Sequence, residues 1–102
     1  MLVEDTRAVL ALALHKLITS QPEGLSALKN TAELIEHGAR QGEGSCYLDV
    51  TESIPYDMQL NLARYLQCKG YTVRRAHFKQ RDRHVDTFKV TWMPEISGEY
   101  VG

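Results

Sequence analysis

The sequence predicts a small α+β domain in which N-terminal helices pack on a three-stranded mixed sheet of βαββ order. Three observations predict it. Between residues 6 and 39 apolar side chains recur at three- and four-residue steps, the period of a helix. Three later stretches, Ser45 to Thr51, Tyr71 to Phe78 and Val85 to Met93, are rich in β-branched and aromatic residues, and the first alternates cleanly. A further helical stripe, Met58, Leu62, Tyr65 and Leu66, separates the first of these stretches from the other two. A chain of 102 residues that is 43% hydrophobic and 25% charged has the size and composition of one folded domain. That domain divides into a helical part over 1–42, a βαββ part over 45–93 and a tail over 94–102.

The first helix is read over residues 6–19. Val9, Leu10, Ala13, Leu14, Leu17 and Ile18 fall in adjacent pairs four apart and line one stripe, Asp5 or Thr6 caps the start, and Pro22 with Glu23-Gly24 breaks the chain after it. In the second helix Leu25, Leu28, Ala32, Ile35 and Ala39 share a face. Asn30 and Glu33 have the form of a capping box, so this helix starts either at Leu25 or only at Thr31, and Gly42 and Gly44 end it.

Strand 1 alternates Cys46, Leu48 and Val50 against Tyr47, Asp49 and Thr51. Ser53 and Pro55 then mark the start of the third helix, which Lys69 and Gly70 close, the cation complementing the helix C-terminus and the glycine supplying a left-handed turn. Strands 2 and 3 form a hairpin around the polar loop Lys79 to His84. In strand 3, Phe88, Val90 and Trp92 share a face with Asp86. In strand 2 the apolar set switches parity from Tyr71 and Val73 to Ala76 and Phe78, which a bulge near Arg74-Arg75 would explain. Pro94 ends strand 3. Strands 1 and 2, joined by one helix, are expected to run parallel, with strand 3 antiparallel and either outside strand 2 or between the pair. Uncovered sheet edges offer a route to a homo-oligomer.

Charge is unevenly distributed along a chain whose formal net charge is -1. Residues 1–68 carry net -4, residues 69–89 net +5 and residues 90–102 net -2. Clustered cations attract anions, so the segment from Lys69 to Lys89 is the strongest compositional signal. No apolar run approaches the roughly 20 residues that span a bilayer, and Glu4 and Asp5 stand where a secretory signal carries positive charge. The chain is therefore expected in the cytoplasm, with no membrane partner. Cys46 and Cys68 lack metal-ligand spacing and read as packed, reduced thiols.

The stretches AELIEHGARQGEGSCYLDV, LARYLQCKGYTV and DTFKVTW, in the order helix, Gly-rich break, strand, helix with Lys-Gly-Tyr and closing hairpin with Trp, resemble a pattern of small uncharacterised bacteriophage and prophage accessory proteins. The resemblance covers about residues 31–93. It implies an origin, with the host cytoplasm as location, and carries no catalytic residues.

The residues expected to bind are Arg74, Arg75, His77, Phe78, Lys79, Arg81 and Arg83. Arginine and lysine on a hairpin supply attraction to acidic protein or to phosphates, and Phe78, His77 or Tyr71 an apolar or stacking anchor. A bland solvated hairpin explains the same charges. A metal site built from His77, Asp82, His84 and Asp86 is disfavoured by the surrounding arginines and by spacing that matches no familiar site. Asp49, Glu52 and Asp57 cluster at the end of strand 1 and the start of the third helix, but lack a nucleophile and an orienting group. His15 and His37 read as ordinary helix residues and Trp92 as core. Gly42-Glu43-Gly44 lacks the strand-to-helix context of a phosphate loop. The reading is a small non-enzymatic interaction protein without cofactor, docking through its basic hairpin onto an acidic protein surface as an inhibitor or virion component. The alternative is a nucleic-acid-binding module using the same hairpin.

Overall fold

The computed structural model describes residues 2–49 and 54–93, and of Phe78, Gln80, Arg83, His84 and Val85 the backbone only. Val50, Thr51, Glu52, Ser53, Pro94 and the tail, on which sequence expectations fell, lie outside the described residues.

Helix α1 spans Val3–Thr19 and starts earlier than its capping residues suggested, with Leu2 as N-cap and no side-chain cap. Thr6 is instead inside the first turns, its hydroxyl donating back to the Leu2 carbonyl at 3.1 Å. The buried stripe is Ala11, Leu14 and Ile18, so Val9, Leu10 and Leu17 of the expected stripe face outward. Helix α2 spans Pro22–Arg40, and only Ser20 and Gln21 separate it from α1. α1 ends at Thr19 as expected, but the break is only these two residues wide. Pro22 occupies the first helical turn, where its missing N–H costs nothing. Gly24 also lies inside α2, because a Cβ there would sit 1.9 Å from the Ile18 carbonyl oxygen: the glycine lets the two helices meet at close range. Asn30 and Glu33 are therefore mid-helix, not a capping box. Both α2 and α3 (Tyr56–Cys68) close on a left-handed glycine, Gly42 at φ 80° and Gly70 at φ 97°. At the end of α3 the Gly70 and Tyr71 N–H groups return to the Gln67 and Leu66 carbonyls, so these two carbonyls of the last turn are satisfied.

The sheet consists of β1 (Ser45–Asp49), β2 (Thr72–Gln80) and β3 (Arg83–Thr91) in the spatial order β1-β3-β2, antiparallel at both pairings. The expected mixed sheet is thereby corrected. β1 and β2 do run parallel across the α3 connection, but β3 enters between them and both pair with it instead of with each other. Burial accounts for the choice: Phe88 and Val90 of β3 are nearly inaccessible, whereas β2 carries Arg74, Arg75 and Lys79, which are exposed and suit an edge.

Register runs without interruption from Thr72↔Thr91 to Gln80↔Arg83, so no bulge exists at Arg74-Arg75. The parity change has another cause. Arg75 takes a core-facing position in place of an apolar residue, and beyond it the hairpin leaves the covered part of the sheet. The connection is also tighter than the expected loop: Arg81-Asp82 alone form the turn, with Arg81 at φ 57° as short hairpin turns demand.

One face of the sheet carries Cys46 and Leu48, Val90 and Phe88, and Val73. Helix α2 covers the β1 side of it and α3 the β2 side, while α1 takes its packing mainly from α3. The core joins Ile18, Ala27, Leu48, Ile54, Met58, Leu62, Leu66, Phe88 and Val90. Two buried polar groups are satisfied inside it: Thr31 donates to the Ala27 carbonyl at 2.7 Å, and the Gln59 amide to the Ile54 carbonyl at 2.9 Å. Trp92, expected in the core, lies one residue beyond β3 and is half-buried over Gly38, where a Cβ would come within 3.1 Å of the indole.

Candidate functional site

Strand alternation decides what the basic segment presents. Residues at odd positions of β2 lie on the helix-side face and those at even positions on the outer face, which no helix among the described residues covers. Arg75, His77 and Lys79 thus fall on the helix side, and Arg74 falls on the outer face opposite Lys89. The cations do not form one patch. Lys69 is elsewhere again, at the C-terminus of α3, with its ammonium 5.7 Å from the Tyr65 ring centre.

Arg75 is a structural cation. Its guanidinium lies 5.2 Å from the centre of the Tyr56 ring and 5.4 Å from that of Phe88, and donates to the Gln59 side-chain oxygen at 3.3 Å. Such a cation seals the rim of a core with its stem and stacks with its head. His77 pairs through Nδ1 with the carboxylate of Asp86, its register partner, so one of the two acids in the basic segment is engaged by the hairpin itself. Arg74, Lys79 and Arg81 are exposed. Phe78 stands opposite Val85 in the ladder and Gln80 opposite Arg83, and the side chains of Phe78 and Arg83 are outside the description.

β1 reaches only as far as Thr87 of β3, so among the described residues Arg83–Asp86 pairs with β2 alone. Among the described residues the distal part of the hairpin, which ends at Arg81-Asp82, is two-stranded. On the outer face of the sheet proper, Tyr47, Lys89 and Arg74 stand in one cross-strand row. The Lys89 ammonium is 5.9 Å from the centre of the Tyr47 ring, which is half exposed. Two cations directly opposite each other in a ladder repel, and an aromatic ring beside them offers a stacking surface. Sequence reading missed this row because Tyr47 lies far from the basic segment in the chain. The signal was present in the alternation of strand 1, which puts Tyr47 on the face away from Leu48.

The remaining candidates do not assemble. Asp49 ends β1 beside an open groove of about 340 Å³ that Asn30 and Ile54 also line. Asp57 sits in the first turn of α3, where its charge complements the helix N-terminus. Among the described residues no three His, Cys, Asp or Glu side chains converge as metal ligands would. Cys46 and Cys68 are free thiols, and burial, followed by the nearby Glu43 carboxylate, pushes the Cys46 thiol above its ordinary range. His15 packs against Tyr65 with ring centres 5.9 Å apart, beside a groove of about 700 Å³ between α1 and α3. No helix among the described residues is long and apolar enough to cross a membrane. No protein-family model matches the chain, and no curated protein or solved structure is significantly similar to it.

Proposed function

We propose that this chain is a small non-enzymatic interaction protein, of phage or prophage origin, whose β2–β3 hairpin docks into an acidic cleft on another protein as an inhibitor or virion component. The observation that carries the reading is the hairpin itself. Among the described residues the ribbon carries Lys79 on its helix-side face and Arg81 at its tip, both exposed, and a concave acidic surface meets both at once better than a flat one. Such charges govern the rate of encounter and are screened by salt.

A protein carrying Lys79→Glu and Arg81→Glu tests this. Both side chains are exposed, so the variant keeps its far-ultraviolet circular dichroism while losing the partners that the native protein retains from a host lysate at low salt. Equal retention by the two proteins sinks the reading.

The row Tyr47, Lys89 and Arg74 favours a second reading, in which single-stranded nucleic acid lies across the outer face with a base on Tyr47, which is half exposed. Binding to random single-stranded DNA that falls steeply with salt and is lost in Tyr47→Ala selects it. Absence of binding at low salt removes it.

A further inference from the structure

Helix α1 is apolar on two sides, and the fold uses only one. Ala11, Leu14 and Ile18 are buried, and not one residue from Leu2 to Leu10 is. On the outward side Leu2, Val9, Leu10, Ala13 and Leu17 succeed one another along the helix; the four larger ones are 44 to 71% exposed. A stripe of this kind is more than the scattered apolar residues normal for a surface, and a half-helix without buried residues gains little stability from packing.

The charges beside the stripe identify what covers it. Asp5 and Lys16 lie about three helical turns apart and so on one flank of it. In α1 the acids Glu4 and Asp5 stand at the N-terminus and Lys16 at the C-terminus. A membrane surface does not suit this helix: interfacial helices carry an excess of Lys and Arg, and here Glu4 and Asp5 offset Arg7 and Lys16. A second copy suits it. Two such helices related by a two-fold axis near Leu10 and Ala11 run antiparallel, and the flank of each meets the same flank of the other, so Asp5 faces Lys16 twice over. A parallel pair would put the two Asp5–Lys16 flanks on opposite sides of the contact, where neither ion pair forms.

We propose that α1 is a self-association surface, pairing antiparallel with α1 of a second copy through Leu2, Val9, Ala13 and Leu17 and through reciprocal Asp5–Lys16 ion pairs. Val9 of each copy packs over the small Ala13 of the other, which lets the axes approach. The helix is about 25 Å long, so the contact is at the small end of specific interfaces and the dimer is a weak, reversible one.

Sedimentation velocity of the full chain over a wide concentration range tests the proposal. The native protein shifts from monomer to dimer as concentration rises. Val9→Glu stays monomeric with unchanged circular dichroism. Asp5→Lys and Lys16→Asp each weaken the dimer about tenfold at low salt, since two pairs turn repulsive at once. The double exchange, Asp5→Lys with Lys16→Asp, restores it. A native protein that stays monomeric throughout overturns the proposal, and so does a dimer indifferent to Val9→Glu, which would use another surface such as the β2 edge. A double exchange that fails to restore pairing overturns the antiparallel arrangement.

Discussion

At the scale of single residues, Arg75 shows how a charged side chain takes part in a core. It occupies the position after Val73 on the helix-side face and closes the rim against Tyr56, Phe88 and Gln59. Arg75→Ala is expected to destabilise the fold by about 1 kcal/mol in urea titration, and Arg75→Met by less, since the methionine keeps the packing of the stem. Equal losses would make the guanidinium the only contributor. Gly24→Ala is expected to cost about 2 kcal/mol or more, because its methyl group would meet the Ile18 carbonyl. Cys46 yields a prediction in pH. Its thiol is held above its ordinary range, so folding favours the protonated form, and the stability this contributes is full below the unfolded-state pKa and disappears as pH rises through the folded one. Stability should therefore fall in the alkaline range by less in Cys46→Ala than in the native protein, and Cys46 should react slowly with thiol reagents until urea is added. Rapid labelling of native Cys46 at neutral pH would contradict this. Strict alternation through strand 2 would have put Arg75 beside Val73 on the inner face, but the parity switch pointed instead to a bulge at that position. Grouping Arg75 with its charged neighbours also obscured that position.

Among elements, the helices and strands were legible as types, but some of their ends were not. Alternation located β1, and Lys69-Gly70 located the end of α3, because both signals are local chemistry. Pro22 misled. Proline after an apolar run reads equally as a stop or as the first turn of the next helix, and the close approach of Gly24 to α1, which decides the matter, is a tertiary fact. The apolar stripe of α1 was misplaced for a related reason: a helix with two apolar sides gives no periodic signal for which one turns inward. The hairpin turn offers a test at this scale. Arg81 pays a steric cost at φ 57°, so Arg81→Gly should stabilise the hairpin by about 0.5 to 1 kcal/mol in the same titration, and a loss of stability would mean that its side chain supports the turn.

The whole molecule is organised around contacts that no short stretch of sequence specifies. The three strands and three helices of an α+β fold were readable, but the place of β3 was not, because the length of the α3 connection allows both an adjacent and a split parallel pair. Likewise the basic segment was visible as composition, and only register divided it between two faces and set Tyr47 beside Lys89. Leu62 of α3 is fully buried in the core that also holds Ile18 of α1 and Phe88 and Val90 of β3. Leu62→Ala should cost about 2 to 5 kcal/mol and remove a large part of the total stability, while a cost near zero would mean that the core is not packed around it. The central position of β3 also bears on synthesis. β1 leaves the ribosome with its strand partner not yet translated, and every ladder hydrogen bond waits for the segment from Arg83 to Thr91. A nascent chain stopped at Asp82 would hold helices and two unpaired strands, so assembly of the sheet is a late event that the last strand completes from the middle outward.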